Sequence, residues 1–311
     1  MDKKTMRSRF VGGMVGSALG DAIGELAFRN RDRKKLLKVV EEEPLLRYTD
    51  DMAMAIGIAE VICEKGDVTP GAVGGRFKEN YEKEPWRGYG PGPPRVFSLV
   101  DKGHTFEEAA GMLFGGEGSF GNGAAMRITP VGLFFHDSGS LVEKVRITAK
   151  VTHAHPLGQD GAVVLAGAIA EAVGQDPDEP FRLKDFCDKL ASVTVTSEFI
   201  RKIFKVYDLS IDAEVQLSQA AEILGTDVTA LGSVPFSIFC FLRNRGSFKE
   251  CLLDAVLAGG DRDTIGAMAC AVSGAYLGEK DLPAKWTDKL ENFSYIKDLA
   301  IKMADLERGA G

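Results

Sequence analysis

The sequence predicts an all-α protein, and three observations support that fold class. Apolar residues recur at helical spacing in most long segments, as they do across residues 69–82. Strands do not alternate with helices in a βαβ order along the chain. A low-complexity linker and a short internal repeat are both absent, so we predict one domain over residues 1–311.

The first predicted helix, residues 6 to about 28, carries a glycine at every fourth position from Gly12 to Gly24. Residues four apart share a helix face, so this stripe lets another backbone approach closely. Each glycine costs up to ~1 kcal/mol of helix propensity, which indicates that the helix is central. Asp21 and Glu25 share a face of the same helix, and the simplest role for Asp21 is a bond to a neighbouring backbone group or arginine.

The other elements follow in chain order. Residues 34–43 form a charged, exposed piece, and residues 85–94 are too rich in glycine and proline for regular structure. In that loop Trp86 and Tyr89 either wall a pocket or pin the loop to the body. Further helices are predicted at residues 49–64, 69–82, 106–113, 126–135, 141–152, 161–173, 234–242, 248–258 and 263–277, with two or three more within 181–224. The β-branched stretch 193–196 has no assigned place.

The bulk properties exclude several classes of protein. A net charge of -7 argues against a general nucleic-acid or anionic-membrane binder. The five cysteines form no C-x-x-C pair, which indicates reduced core residues in a cytoplasmic protein. The charged N-terminus lacks a secretory apolar region, and apolar runs such as residues 234–242 are too short to span a bilayer. No exposed apolar stripe stands out, so a monomer is expected.

Carboxylates and hydroxyls cluster where two apolar, small-residue stretches begin, at Thr49-Asp50-Asp51 and at Asp261-Arg262-Asp263-Thr264. Burying like charges side by side is costly unless something compensates them. Hard divalent cations would do so, because they prefer carboxylate and hydroxyl oxygens. The alternative role is helix N-capping, which needs only one side chain at each start. If the two clusters meet in space, they form an oxygen-lined site for one or two metal ions.

A glycine-rich loop, residues 114–123, continues into a segment that ends at Arg127 and has the composition of a backbone cradle for phosphate oxygens. Ser119 and Asn122 could donate further hydrogen bonds, and Arg127 could add charge. The loop is neither a P-loop nor a dinucleotide-binding fingerprint. The two histidines of segment 152–156 fit ligand contact or helix capping better than metal ligation, because no cysteine or acid adjoins them.

Several motifs occur together in a fixed order: Gly20-Asp21-Ala22-Ile23-Gly24, Thr49-Asp50-Asp51, Gly88-Tyr89-Gly90, Gly121-Asn122-Gly123-Ala124-Ala125-Met126-Arg127, His153-x-His155-Pro156 and Gly259-Gly260-Asp261-x-Asp263-Thr264. In this order and spacing the chain resembles the ADP-ribosylglycohydrolase family, which includes the dinitrogenase-reductase-activating glycohydrolases. The resemblance runs from about residue 9 to residue 278. It implies a compact orthogonal helical bundle with a binuclear centre of two Mg2+ or Mn2+ ions.

The resemblance also implies which residues form the site. The metal ligands would be Thr49, Asp50, Asp51, Asp261, Asp263 and Thr264. The substrate-binding residues would be Ser119, Phe120, Gly121, Asn122, Gly123, Met126, His153 and Tyr89. The catalytic residues would be Asp50, Asp51, Asp263 and Glu25.

Three positions depart from the pattern of the family. Phe28 stands seven residues after Asp21, where relatives usually carry a glutamate tied to metal binding or catalysis. Either Glu25 takes over that role or the role is vacant. Arg262 replaces a small residue, and its cation could pair with a ligand phosphate or weaken the metal site. Phe120 stands where some relatives have tyrosine, which removes a hydroxyl from the cleft.

From the resemblance we expect a metal-dependent hydrolase that removes ADP-ribose from a modified protein side chain or a small conjugate. The bond cleaved would be the one at the anomeric carbon of the distal ribose. The missing glutamate motivates the alternative of a non-catalytic ADP-ribose-binding or crystallin-like structural protein. A hydrolase of another nucleotide-sugar or phosphoester is a third hypothesis. The linkage stays open between arginine, serine, an acetyl ester and a free nucleotide derivative, as does the choice of Mg2+ or Mn2+.

Overall fold

The computed structural model describes residues 1–306, and its regular structure consists of helices. Within that span no strand forms, and two isolated bridges join Leu46 to Leu290 and Gly121 to Thr229. The predicted all-α fold class is therefore confirmed. The predicted domain extends to residue 311, and its last five residues, 307–311, lie outside the described part.

The α-helices are α1 (Lys3–Ala27), α2 (Arg33–Glu42), α3 (Asp50–Lys65), α4 (Pro70–Lys83), α5 (Gly92–Val100), α6 (Phe106–Gly111), α7 (Gly123–Met126), α8 (Thr129–Phe134), α9 (Leu141–Lys150), α10 (Pro156–Gly174), α11 (Leu183–Ser192), α12 (Ser197–Ile211), α13 (Leu217–Leu224), α14 (Ala230–Arg243), α15 (Phe248–Leu257), α16 (Arg262–Leu277), α17 (Ala284–Thr287) and α18 (Phe293–Asp305). Short 3-10 turns occupy Leu113–Gly116 and Glu279–Asp281.

Helices α1 and α16 pack antiparallel along a seam of glycines, and α10, α14, α15 and α18 surround this pair. A Cβ at Gly20 would lie 2.1 Å from the carbonyl oxygen of Gly266. At one end of the seam, a Cβ at Gly24 would lie 2.4 Å from the Cα of Asp263. Both distances are far below ordinary van der Waals contact, so the stripe on α1 admits a second backbone, as its spacing predicts.

The start of α3 is capped from another helix. Thr49 occupies the N-cap position but makes no side-chain cap bond. Instead the buried carboxylate of Asp21, on α1, accepts hydrogen bonds from the backbone N–H groups of Thr49 and Met52, each at 3.0 Å. Asp21 therefore has the backbone-bonding role expected of it, and the acids in the first turn of α3 are left free of capping.

The observed elements differ from the predicted ones in several places. Helix α5 begins inside the glycine- and proline-rich stretch, because proline is compatible with the first turn of a helix. Segment 193–196 connects α11 to α12, and the backbone N–H groups of Val195 and Thr196 bond to the buried carboxylate of Asp160. Helices α17 and α18 were not predicted, and α18 packs against α1 and α3.

One helix corrects the statement that all apolar runs are too short for a membrane. Helix α10 is 19 residues long and apolar enough to cross a bilayer by length and composition. The protein buries 78% of its most apolar window, as expected for the core helix of a folded protein.

Candidate active site

The two acid clusters meet where α3 and α16 begin. Asp51 lies in the first turn of α3, and its two carboxylate oxygens accept from the hydroxyl of Thr264 on α16, at 3.1 and 3.2 Å. The Thr49 hydroxyl donates to the same carboxylate at 3.3 Å. Helix α1 brings the clusters together, because its Gly24 lies against Asp263 and its Asp21 caps the start of α3.

A tight glycine turn presents the second cluster. Gly260 has a φ of 64°, and a Cβ there would lie 1.8 Å from the carbonyl oxygen of Thr226, so only glycine fits. The backbone N–H of Asp261 donates to the same oxygen at 2.8 Å. Asp261 makes no side-chain cap bond to α16, so N-capping does not account for this acid.

Burial and mutual repulsion raise the pKa values of these aspartates. Burial, and then the charge of Asp261, raises the pKa of Asp50 to about 6 and that of Asp263 to about 7. The pKa values of Asp51 and Asp21 lie well above the ordinary range, because both are fully buried and face other aspartates. The site is therefore a region in which negative charge is poorly tolerated without compensation.

The chemistry of this donor set fits a hard divalent cation, since its atoms are carboxylate and hydroxyl oxygens. The ion pairs within residues 1–306 involve other carboxylates, such as Glu291 and Asp160, so no lysine or arginine forms an ion pair with the cluster. The buried cation of Arg127 opposes the raised pKa of Asp50 only in part. With the side chains in their present positions, no three His, Cys, Asp or Glu residues within 1–306 lie close enough together to hold a metal ion. Binding a cation would require the carboxylates to move inward.

Hydrogen bonds tie the glycine loop to the acid cluster. The side-chain amide of Asn122 donates to Asp261 at 2.6 Å and to the hydroxyl of Ser233 at 3.2 Å. The backbone N–H of Ala230 donates to the carbonyl of Phe120 at 3.0 Å. The position of Asn122 is thus fixed by α14 and by the turn before α16.

The other loop residues named from the resemblance lie around His153. A Cβ at Gly123 would lie 3.1 Å from Cε1 of that ring, and a Cβ at Gly121 would lie 3.8 Å from its Nε2. Met126 is buried in α7, directly after the loop. The Ser119 hydroxyl accepts from the backbone N–H of Gly121 at 3.2 Å.

Aromatic side chains lie on both flanking loops. Phe120 is 43% exposed, and its ring meets the edge of His155 with centroids 5.6 Å apart. His155 also caps α10, because its Nδ1 accepts from the backbone N–H of Leu157 at 3.1 Å. Tyr89 is half-buried and packs edge-on against Tyr81, with centroids 5.1 Å apart. Burial and then the charge of Asp50 raise the pKa of Tyr89.

Arg87 holds the 85–91 loop in place. Its guanidinium donates to both carboxylate oxygens of Glu291 at 2.6 and 3.3 Å, to Glu84 at 3.0 and 3.1 Å and to the carbonyl of Tyr48 at 2.9 Å. The rings of Tyr48 and Trp86 lie on it, with centroids at 4.2 and 4.5 Å. Trp86 is 62% exposed, so it covers the arginine instead of sitting in a pocket.

Comparison with known proteins identifies the family. The family model described as ADP-ribosylglycohydrolase matches residues 2–311. The chain belongs to the ADP-ribosylglycohydrolase family.

Individual relatives of the chain cover nearly its whole length. ADP-ribosylhydrolase ARH3 of Homo sapiens is 32% identical over 94% of this chain and 92% of its own. The protein of the same name from Xenopus tropicalis is 30% identical, over 96% and 95%. A solved structure titled ADP-ribosylglycohydrolase-related protein complex has the same fold, with a TM-score of 0.72, 22% identity and coverage of 97% and 98%. The prediction of an enzyme of this glycosidic-bond-hydrolysing type is confirmed.

The residues that bear on the expected departures from the family pattern have defined surroundings. Glu25 is exposed on α1, close enough to Asp263 for its charge to raise the pKa of that aspartate. Phe28 is 37% exposed at the C-cap of α1. Arg262 is turned away from the cluster, because its guanidinium donates to the carbonyl of Val256 near the end of α15.

Arg127 lies behind the loop and points away from its backbone, but its charge, after burial, lowers the pKa of His153 and opposes the raised pKa of Asp50. It is fully buried, with its guanidinium carbon 4.6 Å from the ring centroid of Phe77, and it donates to the hydroxyl of Thr152 at 2.7 Å. Sequence reasoning also missed Ser233 as a partner of Asn122. In the sequence, Thr152 is marked as a candidate site residue only by its position next to His153. Ser233 is not marked at all, because it lies within an apolar helix.

Proposed function

We propose that this chain is a divalent-metal-dependent hydrolase that releases ADP-ribose from a modified protein side chain or a small ADP-ribosyl conjugate. The observation that carries the proposal is the buried aspartate cluster where α3 and α16 begin, which makes no ion pair within residues 1–306 and lies beside a glycine loop that Asn122 ties to Asp261. The names of the human and frog relatives, ADP-ribosylhydrolase, support ADP-ribose as the group removed.

The metal part of the proposal rests on the donor set. Two Mg2+ or Mn2+ ions would be held by Thr49, Asp50, Asp51, Asp261, Asp263 and Thr264. When bound, these ions would neutralise the carboxylates and polarise the ribose hydroxyls and a water molecule. The raised pKa values of the aspartates support this hypothesis, because burial and then mutual repulsion cause them, and a bound cation would offset both.

The acids would also handle the proton of the reaction. Cleavage at the anomeric carbon builds oxocarbenium character and consumes one water. One of the four aspartates or Glu25 would accept the proton that the attacking water releases. Glu25, exposed beside Asp263, would pass the proton to solvent in place of the glutamate that Phe28 replaces.

The loops would position the ligand. The backbone N–H groups of Gly118, Gly121 and Asn122 already donate within the protein. Those of Ser119, Phe120 and Gly123 would therefore hold the pyrophosphate together with the ring of His153, beside the buried Met126. Phe120 and Tyr89 would wall the cleft on its two sides. Fixing the sugar in this way lowers the entropic part of the barrier.

A turnover assay tests the proposal. Purified protein is mixed with ADP-ribosylated arginine and serine peptides, in Mg2+, in Mn2+ or in chelator, and released ADP-ribose is followed. The Asp50→Asn variant should lose at least about 100-fold in kcat/KM, because it removes a metal ligand and a proton acceptor. The matched control is Asp208→Asn, which makes the same change at an exposed position of α12 and should leave turnover intact.

Each outcome has a defined meaning. Release that requires a metal supports the hydrolase, and the preferred peptide identifies the linkage. Full turnover by Asp50→Asn, or in chelator, would contradict the role of the acid cluster. Binding of ADP-ribose without any release would instead favour the non-catalytic alternative that Phe28 motivates.

A further inference from the structure

A buried row of three polar side chains lies behind the glycine loop. Arg127, Thr152 and His153 are 0%, 1% and 5% exposed. The Nη2 of Arg127 lies 2.7 Å from Oγ1 of Thr152, which lies 2.7 Å from Nδ1 of His153. The proposed function gives a role to His153 only, so the other two members of the row need an explanation.

The number of hydrogens on each group fixes the direction of these bonds. A guanidinium can only donate, so the Thr152 oxygen accepts from Arg127. Burial lowers the pKa of Arg127 only to about 9, so it stays charged at neutral pH. Within residues 1–306 the Thr152 hydroxyl makes hydrogen bonds with these two partners alone, and its single hydrogen must therefore go to Nδ1 of His153. The reverse arrangement would leave a buried hydroxyl hydrogen without an acceptor, which is costly.

The ring of His153 is neutral near pH 7. Burial, and then the charge of Arg127, lowers the pKa of His153 to about 3. A neutral imidazole carries one proton, on Nδ1 or on Nε2, and a hydrogen bond to one nitrogen selects the tautomer. With Nδ1 accepting from Thr152, the proton stays on Nε2.

The free nitrogen faces the ligand loop. A Cβ at Gly123 would lie 3.3 Å from Nε2 of His153, and one at Gly121 would lie 3.8 Å from it. Gly158 packs against the neighbouring ring atom Cδ2, where a Cβ would lie 3.2 Å away. Both loop residues lack a side chain, so the space in front of Nε2 stays open to a ligand atom.

We propose that Thr152 is a positioning residue whose hydroxyl, held by Arg127, fixes His153 in the tautomer with its proton on Nε2 and presents that N–H to a phosphate oxygen of the bound ligand. The identity of that ligand as ADP-ribose rests on the proposed function, whereas the tautomer does not. Thr152 itself touches no reacting atom and acts through His153.

Nuclear magnetic resonance of 15N-histidine-labelled protein, without ligand or metal, tests the tautomer directly. The chain has four histidines, and a His153→Gln variant assigns the signal in question. The wild-type protein should show His153 with its proton on Nε2 alone at pH 7. Thr152→Val keeps the shape of the side chain but lacks the hydroxyl, so the single tautomer should be lost. Thr152→Ser restores the hydroxyl and should restore the tautomer.

Calorimetry with ADP-ribose tests the consequence for binding. Thr152→Val should raise the Kd about tenfold, and Thr152→Ser should stay within about twofold of wild type. In turnover, the loss should appear in KM more than in kcat, because the bond forms before the chemical step. A wild-type proton on Nδ1, or a valine variant that keeps both tautomer and affinity, would overturn the proposal. Absence of turnover in the wild type would count against the proposed function alone. If the valine variant fails to fold, the tautomer of His153 in the ligand-free wild-type protein still decides this proposal.

Discussion

Replacing Gly24 with alanine tests whether the α1–α16 seam sets the position of the acid cluster. The new Cβ would lie 2.4 Å from the Cα of Asp263, whereas ordinary van der Waals contact begins at 3.4 Å. The obstacle is backbone, which cannot rotate away as a flexible side chain would. The two helices must therefore separate locally by about 1 Å, the difference between those two distances.

The size of the effect follows from two opposing terms. Overpacking a well-packed seam costs about 1–3 kcal/mol, and replacing glycine with alanine in a helix returns up to ~1 kcal/mol. We expect Gly24→Ala to lower the free energy of unfolding by about 1–2 kcal/mol. Because a displacement of about 1 Å at a catalytic group can cost about 100-fold, kcat/KM should fall by a similar factor.

Two glycines provide matched controls. A Cβ at Gly12, at the other end of the seam, would lie 2.2 Å from the carbonyl oxygen of Gly274. Gly12→Ala should therefore cost similar stability, but it lies about 18 Å from Gly24 along α1 and should leave turnover intact. A Cβ at Gly75 in α4 meets nothing within 4 Å, so Gly75→Ala should stabilise by up to ~1 kcal/mol.

Urea denaturation measures the stability of each variant, and release of ADP-ribose from the preferred peptide measures its activity. The reasoning is refuted if Gly24→Ala keeps full kcat/KM while losing stability. It is equally refuted if Gly12→Ala loses as much activity as Gly24→Ala, because the effect would then be general loosening of the seam.

Two further predictions concern charge. The folded pKa values of Asp50 and Asp263, about 6 and 7, exceed the ordinary 3.8, so the folded protein binds more protons than the unfolded one across that interval. In chelator, the contribution of these groups to stability should be complete below about pH 4 and decline as the pH rises to about 7; added Mg2+ or Mn2+ should stabilise most above pH 7. Thermal unfolding across pH, with and without cation, measures this, and a cation effect that is equal at pH 4.5 and 7.5 would contradict it. Arg87→Ala should cost about 2 kcal/mol in urea denaturation, because it removes the donor shared by the Tyr48 carbonyl and by Glu291, whose side chain is only 13% exposed. Arg87→Lys should recover only part of that loss. A cost below about 1 kcal/mol would show that the guanidinium does not hold the loop.

The sequence predicted structure correctly where the pattern lay within a single helix. The fourth-residue spacing of glycine predicted a close helix contact, because residues four apart always share a face. The identity of the partner helix was not predictable, since α16 begins more than 230 residues after α1 ends. Likewise, the proline-rich stretch looked irregular, although Pro93 and Pro94 occupy the first turn of α5, where no N–H is needed.

The sequence by itself determined the fold class, the family and the two acid clusters, because helical periodicity, motif order and doubled carboxylates are all read along the chain. Tertiary structure decided how those residues relate: that Asp51 bonds Thr264, that Asn122 bonds Asp261 and that Arg127 turns inward to Thr152. These contacts join residues from 25 to more than 200 positions apart. They depend on which helix faces pack together. That packing is set by all the helices at once, so no local pattern along the sequence reveals it.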